Sequence, residues 1–140
     1  METRELKDCT ESQLKDLERL MSELSEGESC PREALLRVLG ESNSHLYAVL
    51  DGDRIVACAS LCVFHSPTGA KASIEDVVVS SDYRGRHLGR MLMEFVLEQA
   101  RSFAPIELHL TSRPCREAAN NLYRSLGFRI KETNCYRLQL

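Results

Sequence analysis

Apolar and polar positions along this chain repeat with two periods, and the changes of period mark out its elements. Thr3 to about Cys9 reads as a first strand. Thr10-Glu11-Ser12-Gln13 is a capping box, in which a threonine hydroxyl and a glutamine side chain each accept the other's backbone N–H at a helix start. Leu14, Leu17, Met21 and Leu24 follow at helical spacing, and Gly27 ends that helix. Pro31 suits the first position of a second helix, with Ala34, Leu35, Val38 and Leu39 inward and Gly40 as the stop.

The period then shortens. His45 to Leu50 alternates as a strand, and Asp51-Gly52 is a hairpin turn. Arg54 to His65 is almost continuously apolar, which suits a strand buried on both faces. Ser66-Pro67-Thr68-Gly69 turns the chain, and Ala70 to Val79 returns. Leu88, Met91, Leu92, Phe95, Val96 and Gln99 restore helical spacing over Leu88 to Arg101. A short strand, Ile106 to Leu110, and a helix from about Cys115 to Leu126 follow, the helix closed by Gly127 as a left-handed cap. Phe128 to Lys131 and Tyr136 to Leu140 read as a final hairpin. The order β-α-α-β-β-β-α-β-α-β-β predicts an α/β (mixed α+β) fold. Its mixed, mostly antiparallel sheet has about seven strands, with helices on both faces.

At 140 residues, 43% apolar and 28% charged, the chain predicts one domain spanning 1–140. A net charge of −3 argues against nucleic acid as a partner. The polar start, Met1-Glu2-Thr3-Arg4-Glu5, predicts no signal peptide. The longest mainly apolar run, Ile55 to Phe64, is short of the ~20 residues of a membrane helix. Six cysteines and four histidines show no metal-binding spacing, so no metal is expected; the cysteines read as small buried hydrophobes in a reducing cytoplasm.

The most informative stretch is Arg84-Gly85-Arg86-His87-Leu88-Gly89, between the apolar strand and a helix. The first turn of a helix carries N–H groups without intrahelical partners and a partial positive charge, which together hold phosphate. Gly85 and Gly89 let backbone approach a ligand, and Arg84, Arg86 and Arg90 add charge.

That loop and the later segment Ala118-Ala119-Asn120-Asn121-Leu122-Tyr123-Arg124-Ser125-Leu126-Gly127-Phe128 together resemble the GNAT superfamily of acyl-CoA-dependent N-acyltransferases. The family's loop reads Gln/Arg-x-x-Gly-x-Gly/Ala. Here it reads Arg84-x-x-His87-x-Gly89, with His87 at the usual second glycine. The family's Leu-Tyr-x-x-Leu-Gly-Phe pattern is matched by Leu122 through Phe128, and the resemblance covers nearly the whole chain. The run Ile74 to Leu92 is also similar to glucosamine-6-phosphate N-acetyltransferase.

The resemblance implies a cytoplasmic N-acetyltransferase that uses acetyl-CoA, with its pyrophosphate on Arg84, Gly85, Arg86, His87, Leu88 and Gly89. The pantetheine arm would pair with the backbone of Val77, Val78 and Val79. Tyr123 matches the tyrosine that protonates the departing thiolate. Many relatives have asparagine seven residues before that tyrosine, where this chain has Arg116; Asn120 or Asn121 would replace its pantetheine contact.

Transfer to an amine also needs a base, and Glu75 is the candidate, directly or through a water. Strand alternation puts Glu75, Val77 and Val79 on one face and Asp76 and Val78 on the other. The two acids share a pocket only if a bulge intervenes. His109 and His65 rank below Glu75. Arg113, Arg116 and Arg137 are candidates for holding an acidic or phosphorylated acceptor, with Asp76 a further acceptor-side residue. The expected partners are acetyl-CoA and a primary amine, first a small anionic one such as an amino-sugar phosphate, with no nucleic acid and no membrane. A peptide or protein amine is the alternative acceptor. A non-catalytic acyl-CoA-binding module is the competing class, and a homodimer is compatible with the sequence.

Overall fold

A computed structural model of the chain describes residues 1–24 and 30–140. Five strands, β1 (Glu2–Leu6), β2 (Ser44–Asp51), β3 (Arg54–Ser66), β4 (Gly69–Val79) and β5 (Glu107–His109), form one sheet in that order. Neighbours are antiparallel except β4 and β5, which run parallel. The helices are α1 (Glu11–Leu24), α2 (Arg32–Gly40), α3 (Leu88–Ala100) and α4 (Glu117–Ser125). Two short 3₁₀ turns lie at Ser81–Tyr83 and Arg101–Phe103.

The capping box forms in both directions. Thr10 N donates to Gln13 Oε1 at 3.1 Å, and Gln13 N donates to Thr10 Oγ1 at 3.2 Å. The expected stop at Gly27 lies outside the described residues. Asp16 and Gln13 tie α1 to the β2–β3 hairpin: Ile55 N donates to Asp16 Oδ2 at 3.0 Å, and Gln13 Nε2 to the Asp53 carbonyl at 3.1 Å.

The sheet separates two cores. One holds Leu14, Leu17, Leu20 and Leu35 of α1 and α2 against Leu46, Leu50, Ile55, Cys58 and Val78. The other packs Leu88, Leu92, Val96 and Tyr123 of α3 and α4 against Tyr47, Val49, Val56, Leu61 and Ile74. Ile55 through Ala59 are all buried, so β3 is covered on both faces as its unbroken apolar run requires. Each leucine removed from water contributes about 1.5–3 kcal/mol to holding the layers together.

The expected last hairpin is absent: among the described residues, none after Ser125 lies in a helix or strand. The alternation at Tyr136 to Leu140 finds no core face there, since Tyr136, Leu138 and Leu140 all stay exposed, as does Ile130. Among the described residues the sheet therefore has five strands rather than about seven. All six cysteines are free, but their expected burial holds only for Cys58; Cys9, Cys30 and Cys62 are partly buried, and Cys115 and Cys135 are exposed.

Among the described residues no helix is long and apolar enough to cross a membrane.

β4 carries the feature that shapes everything downstream. Cys58 pairs with Val78, but Ser60 pairs with Glu75, so β4 has one residue more than β3 there. The extra residue makes a β-bulge around Asp76, which takes φ 53°, a left-handed conformation that Asp tolerates better than most residues. The bulge reverses the side-chain alternation. Ile74 enters the core with α3, while Val78, four residues on, enters the opposite core. Val77 and Val79 return to the side of Ile74. The expected sharing of one face by Glu75, Val77 and Val79 is thus corrected: Glu75 lies before the reversal and they lie after it.

Candidate active site

β4 and β5 pair only from Lys71↔Glu107 to Ser73↔His109. Beyond Ser73 the two strands have no ladder between them, and the backbone of Glu75 to Val79 presents an edge on the β5 side. A cavity of about 600 Å³ opens at this divergence. One wall is Ile74, Glu75, Asp76 and Val77; the other is Leu110, Thr111, Ser112 and Arg113, with Arg116, Tyr123, Arg137 and Leu24 completing it. The bulge brings both acids to this one cavity, as strict alternation would not. Ser73, two residues before Glu75, donates its hydroxyl to Glu75 Oε1 at 2.5 Å.

Past β4, Ser80 N donates to the Val56 carbonyl at 2.9 Å and fixes where the strand ends. The loop Arg84–His87 then leads into α3. Gly85 (φ 76°) and His87 (φ 61°) both take left-handed conformations, and His87 is the N-cap of the helix, its carbonyl accepting from Met91 N at 3.1 Å. The N–H groups of Leu88, Gly89 and Arg90 form the first turn, where intrahelical acceptors are lacking. Arg86 lies over the Tyr83 ring, 4.8 Å from its centre, and Tyr83 Oη donates to Asp51 Oδ2 at 2.7 Å. This chain of contacts ties the loop to the β2–β3 turn. Arg90 is directed to α4, donating to Ser125 Oγ at 2.6 Å. Arg84 makes no hydrogen bond or ion pair among the described residues.

Gly89 has a different role from the one its position suggests. A Cβ built on it would meet Leu122 Cδ2 at 3.5 Å and Val79 Cγ2 at 3.8 Å. Its open side thus faces the junction of β4, α3 and α4.

Tyr123 is 8% exposed and packs edge-on against Phe128, ring centres 6.1 Å apart. It also borders a second cavity of about 840 Å³ between β5, α4 and residues 128–135. Burial pushes its phenol up from the ordinary value, and the positive charge of Arg116 pulls it back in part. The phenol is therefore protonated at neutral pH and able to donate.

Asn120 lines the second cavity, and its side-chain nitrogen donates to the carbonyls of Arg113 and Arg116, both at 2.9 Å. His109 also lines the second cavity; its Nε2 lies 2.7 Å from Glu107 Oε1 without hydrogen-bond alignment. His65 is exposed near the end of β3. Neither histidine borders the cavity that holds Glu75. Ser73, Tyr83 and the paired carbonyl contacts of Asn120 escaped the sequence reading. Only Ser73 had a usable signal, since i and i+2 residues of a strand share a face. Among the described residues no group of three His, Cys, Asp or Glu side chains could hold a metal ion.

Comparison with known proteins bears on this arrangement. The model of the Acetyltransferase (GNAT) family matches residues 9–128. The crystal structure of a Trypanosoma brucei acetyltransferase is 31% identical, with 99% of each chain covered and a TM-score of 0.77. An aminoglycoside acetyltransferase from an uncultured soil metagenomic sample, in complex with trehalose, shares the fold at 19% identity and a TM-score of 0.80, over 99% of this chain and 95% of that one. A [ribosomal protein bS18]-alanine N-acetyltransferase of Salmonella typhimurium is 36% identical over 58 residues. That match spans 41% of this chain and 39% of that protein, about two fifths of its length.

Proposed function

The chain belongs to the acetyltransferase (GNAT) family, and on that premise we propose that it transfers acetyl from acetyl-CoA directly to the primary amine of a small anionic acceptor. The N–H groups at the start of α3, with Gly85 turning the loop, suit a pyrophosphate. The free edge of β4 beyond Ser73 suits an arm that pairs with backbone at Val77, Val78 and Val79. Arg84, without a partner of its own, is available to a phosphate.

On this reading Glu75 takes the proton from the acceptor ammonium, and Tyr123 gives a proton to the leaving thiolate. Asp76 lies beside Glu75 and faces the acceptor. The observation that carries the anionic acceptor is the charge of one cavity. Arg113, Arg116 and Arg137 stand against Glu75 and Asp76, so the cavity is net cationic in a chain of net charge −3. A bare ammonium would be repelled there, whereas an amine that also carries phosphate or carboxylate has a cation to meet.

A peptide N-terminus is the second reading, favoured by the local likeness to the alanine N-acetyltransferase of Salmonella. Thiol release from acetyl-CoA separates them. Glucosamine 6-phosphate, glucosamine and a peptide beginning with alanine would be compared at equal concentration. The proposal expects the phosphorylated amine to lead. Faster turnover of the peptide would move the assignment to peptide acceptors. No thiol release with any amine, alongside tight CoA binding, would make the protein a binding module.

A further inference from the structure

We propose that Asn120 is the positioning residue that sets acceptor selectivity, by holding Arg113 and Arg116 in register for an anion. The inference rests on the reading of those arginines as acceptor residues.

Arg113-Pro114-Cys115-Arg116 is a tight turn, closed by Arg116 N donating to the Arg113 carbonyl at 3.0 Å. Pro114 fixes one backbone angle of that turn and contributes no N–H. Asn120, in the first turns of α4, grips the same two residues. Its side-chain nitrogen donates to both carbonyls at 2.9 Å, and its backbone N donates to the Arg116 carbonyl at 3.0 Å. Both neighbours are carbonyl oxygens, so the amide must present its nitrogen, which has two hydrogens to give. Both donors of that nitrogen are thereby spent on the turn.

The turn has no other side-chain anchor to α4 among the described residues: Arg116, the N-cap residue, makes no side-chain capping bond. Arg113 and Arg116 both border the cavity, whereas Asn120 does not. Its influence on an acceptor therefore runs through the two arginine backbones. An arginine fork recognises phosphate or carboxylate by geometry, and a fork on a wandering backbone loses that advantage.

The test is the ratio of kcat/KM for glucosamine 6-phosphate to that for glucosamine, measured in N120A, R113A, R116A and the double variant N120A/R113A. Each single variant should lower the ratio by about tenfold, the scale of two modest hydrogen bonds lost. The double variant should fall little below R113A alone, because both changes disable one device. The KM for acetyl-CoA should not rise with the loss. P114G loosens the same turn without touching Asn120 and should reproduce the selective loss even where N120A folds poorly. If R113A and R116A lower the ratio while N120A and P114G do not, the positioning role is wrong and the anionic acceptor stands. If N120A raises the KM for acetyl-CoA and leaves the ratio alone, Asn120 serves pantetheine instead. If no arginine variant changes the ratio, the anionic acceptor itself fails.

Discussion

Replacing Gly89 with alanine should stabilise the protein and leave CoA binding intact. The new methyl would sit 3.5 Å from Leu122 Cδ2 and 3.8 Å from Val79 Cγ2, both ordinary contact distances, so nothing has to move. Alanine restricts the unfolded chain more than glycine does and favours helix, worth about 0.4–1 kcal/mol at a compatible site. The two new contacts add roughly 0.1–0.2 kcal/mol each. The expected gain is about 1 kcal/mol, or a rise in Tm of about 3–4 °C for a domain of this size. Leucine at the same position reaches into Leu122 and should reverse the sign, at a cost of about 1–3 kcal/mol. Calorimetric unfolding of the three proteins gives the stability series, and titration with CoA gives the affinities. A G89A protein that binds CoA more than tenfold weaker would refute the account. It would mean that the missing Cβ faces the phosphates, as the loop pattern alone suggests, rather than α4.

Tyr123→Phe should lower kcat by about 10²–10⁴-fold with CoA affinity unchanged, and near-normal turnover would reduce Tyr123 to a packing residue. Because burial raises this phenol, its stabilising contribution is fully present below about pH 10 and is lost as pH rises through the higher folded value; the readout is a smaller alkaline loss of stability in the Phe variant, since burial raises Tyr47 and Cys58 as well. His87→Gly relieves a left-handed residue at φ 61° and should bind CoA at least as well as the parent, whereas a large loss in a binding titration would make the imidazole itself a ligand. Asp76→Asn should keep the bulge, while Asp76→Val places a β-branched residue at φ 53° and should cost about 1–3 kcal/mol in urea unfolding; equal midpoints for the two variants would contradict the strain.

The helices and the central strands could be read from residue pattern because their signals are local. Thr10 and Gln13 cap α1 as their spacing demands. Gly52, in the Asp51-Gly52 turn, takes φ 59°, as the hairpin signal requires. Arg54 to Ser66 is buried on both sides where the apolar run is unbroken. The candidate site is legible only in part. Glu75, Tyr123 and the arginines were visible as residue types, but their meeting depends on an extra residue in β4 that leaves the apolar pattern looking regular. The bonds from Ser73 and Asn120 have no periodic signature, since serine and asparagine are ordinary residues in a strand or helix. The last hairpin misleads for the opposite reason. Tyr136, Leu138 and Leu140 alternate as a strand would, yet alternation states only that one face is apolar, not that a sheet is there to receive it.

The bulge at Asp76 is an insertion that the two cores do not feel. Deleting that one residue would restore regular pairing with β3, placing Val77 opposite Ala59 and keeping Val78 opposite Cys58. Val77 and Val79 would still face α3, and Val78 would still face α1. What would go is the left-handed residue and the second acid at the cavity. One residue of strand length thus changes the lining of the cavity while the packing on either side of the sheet keeps its side chains.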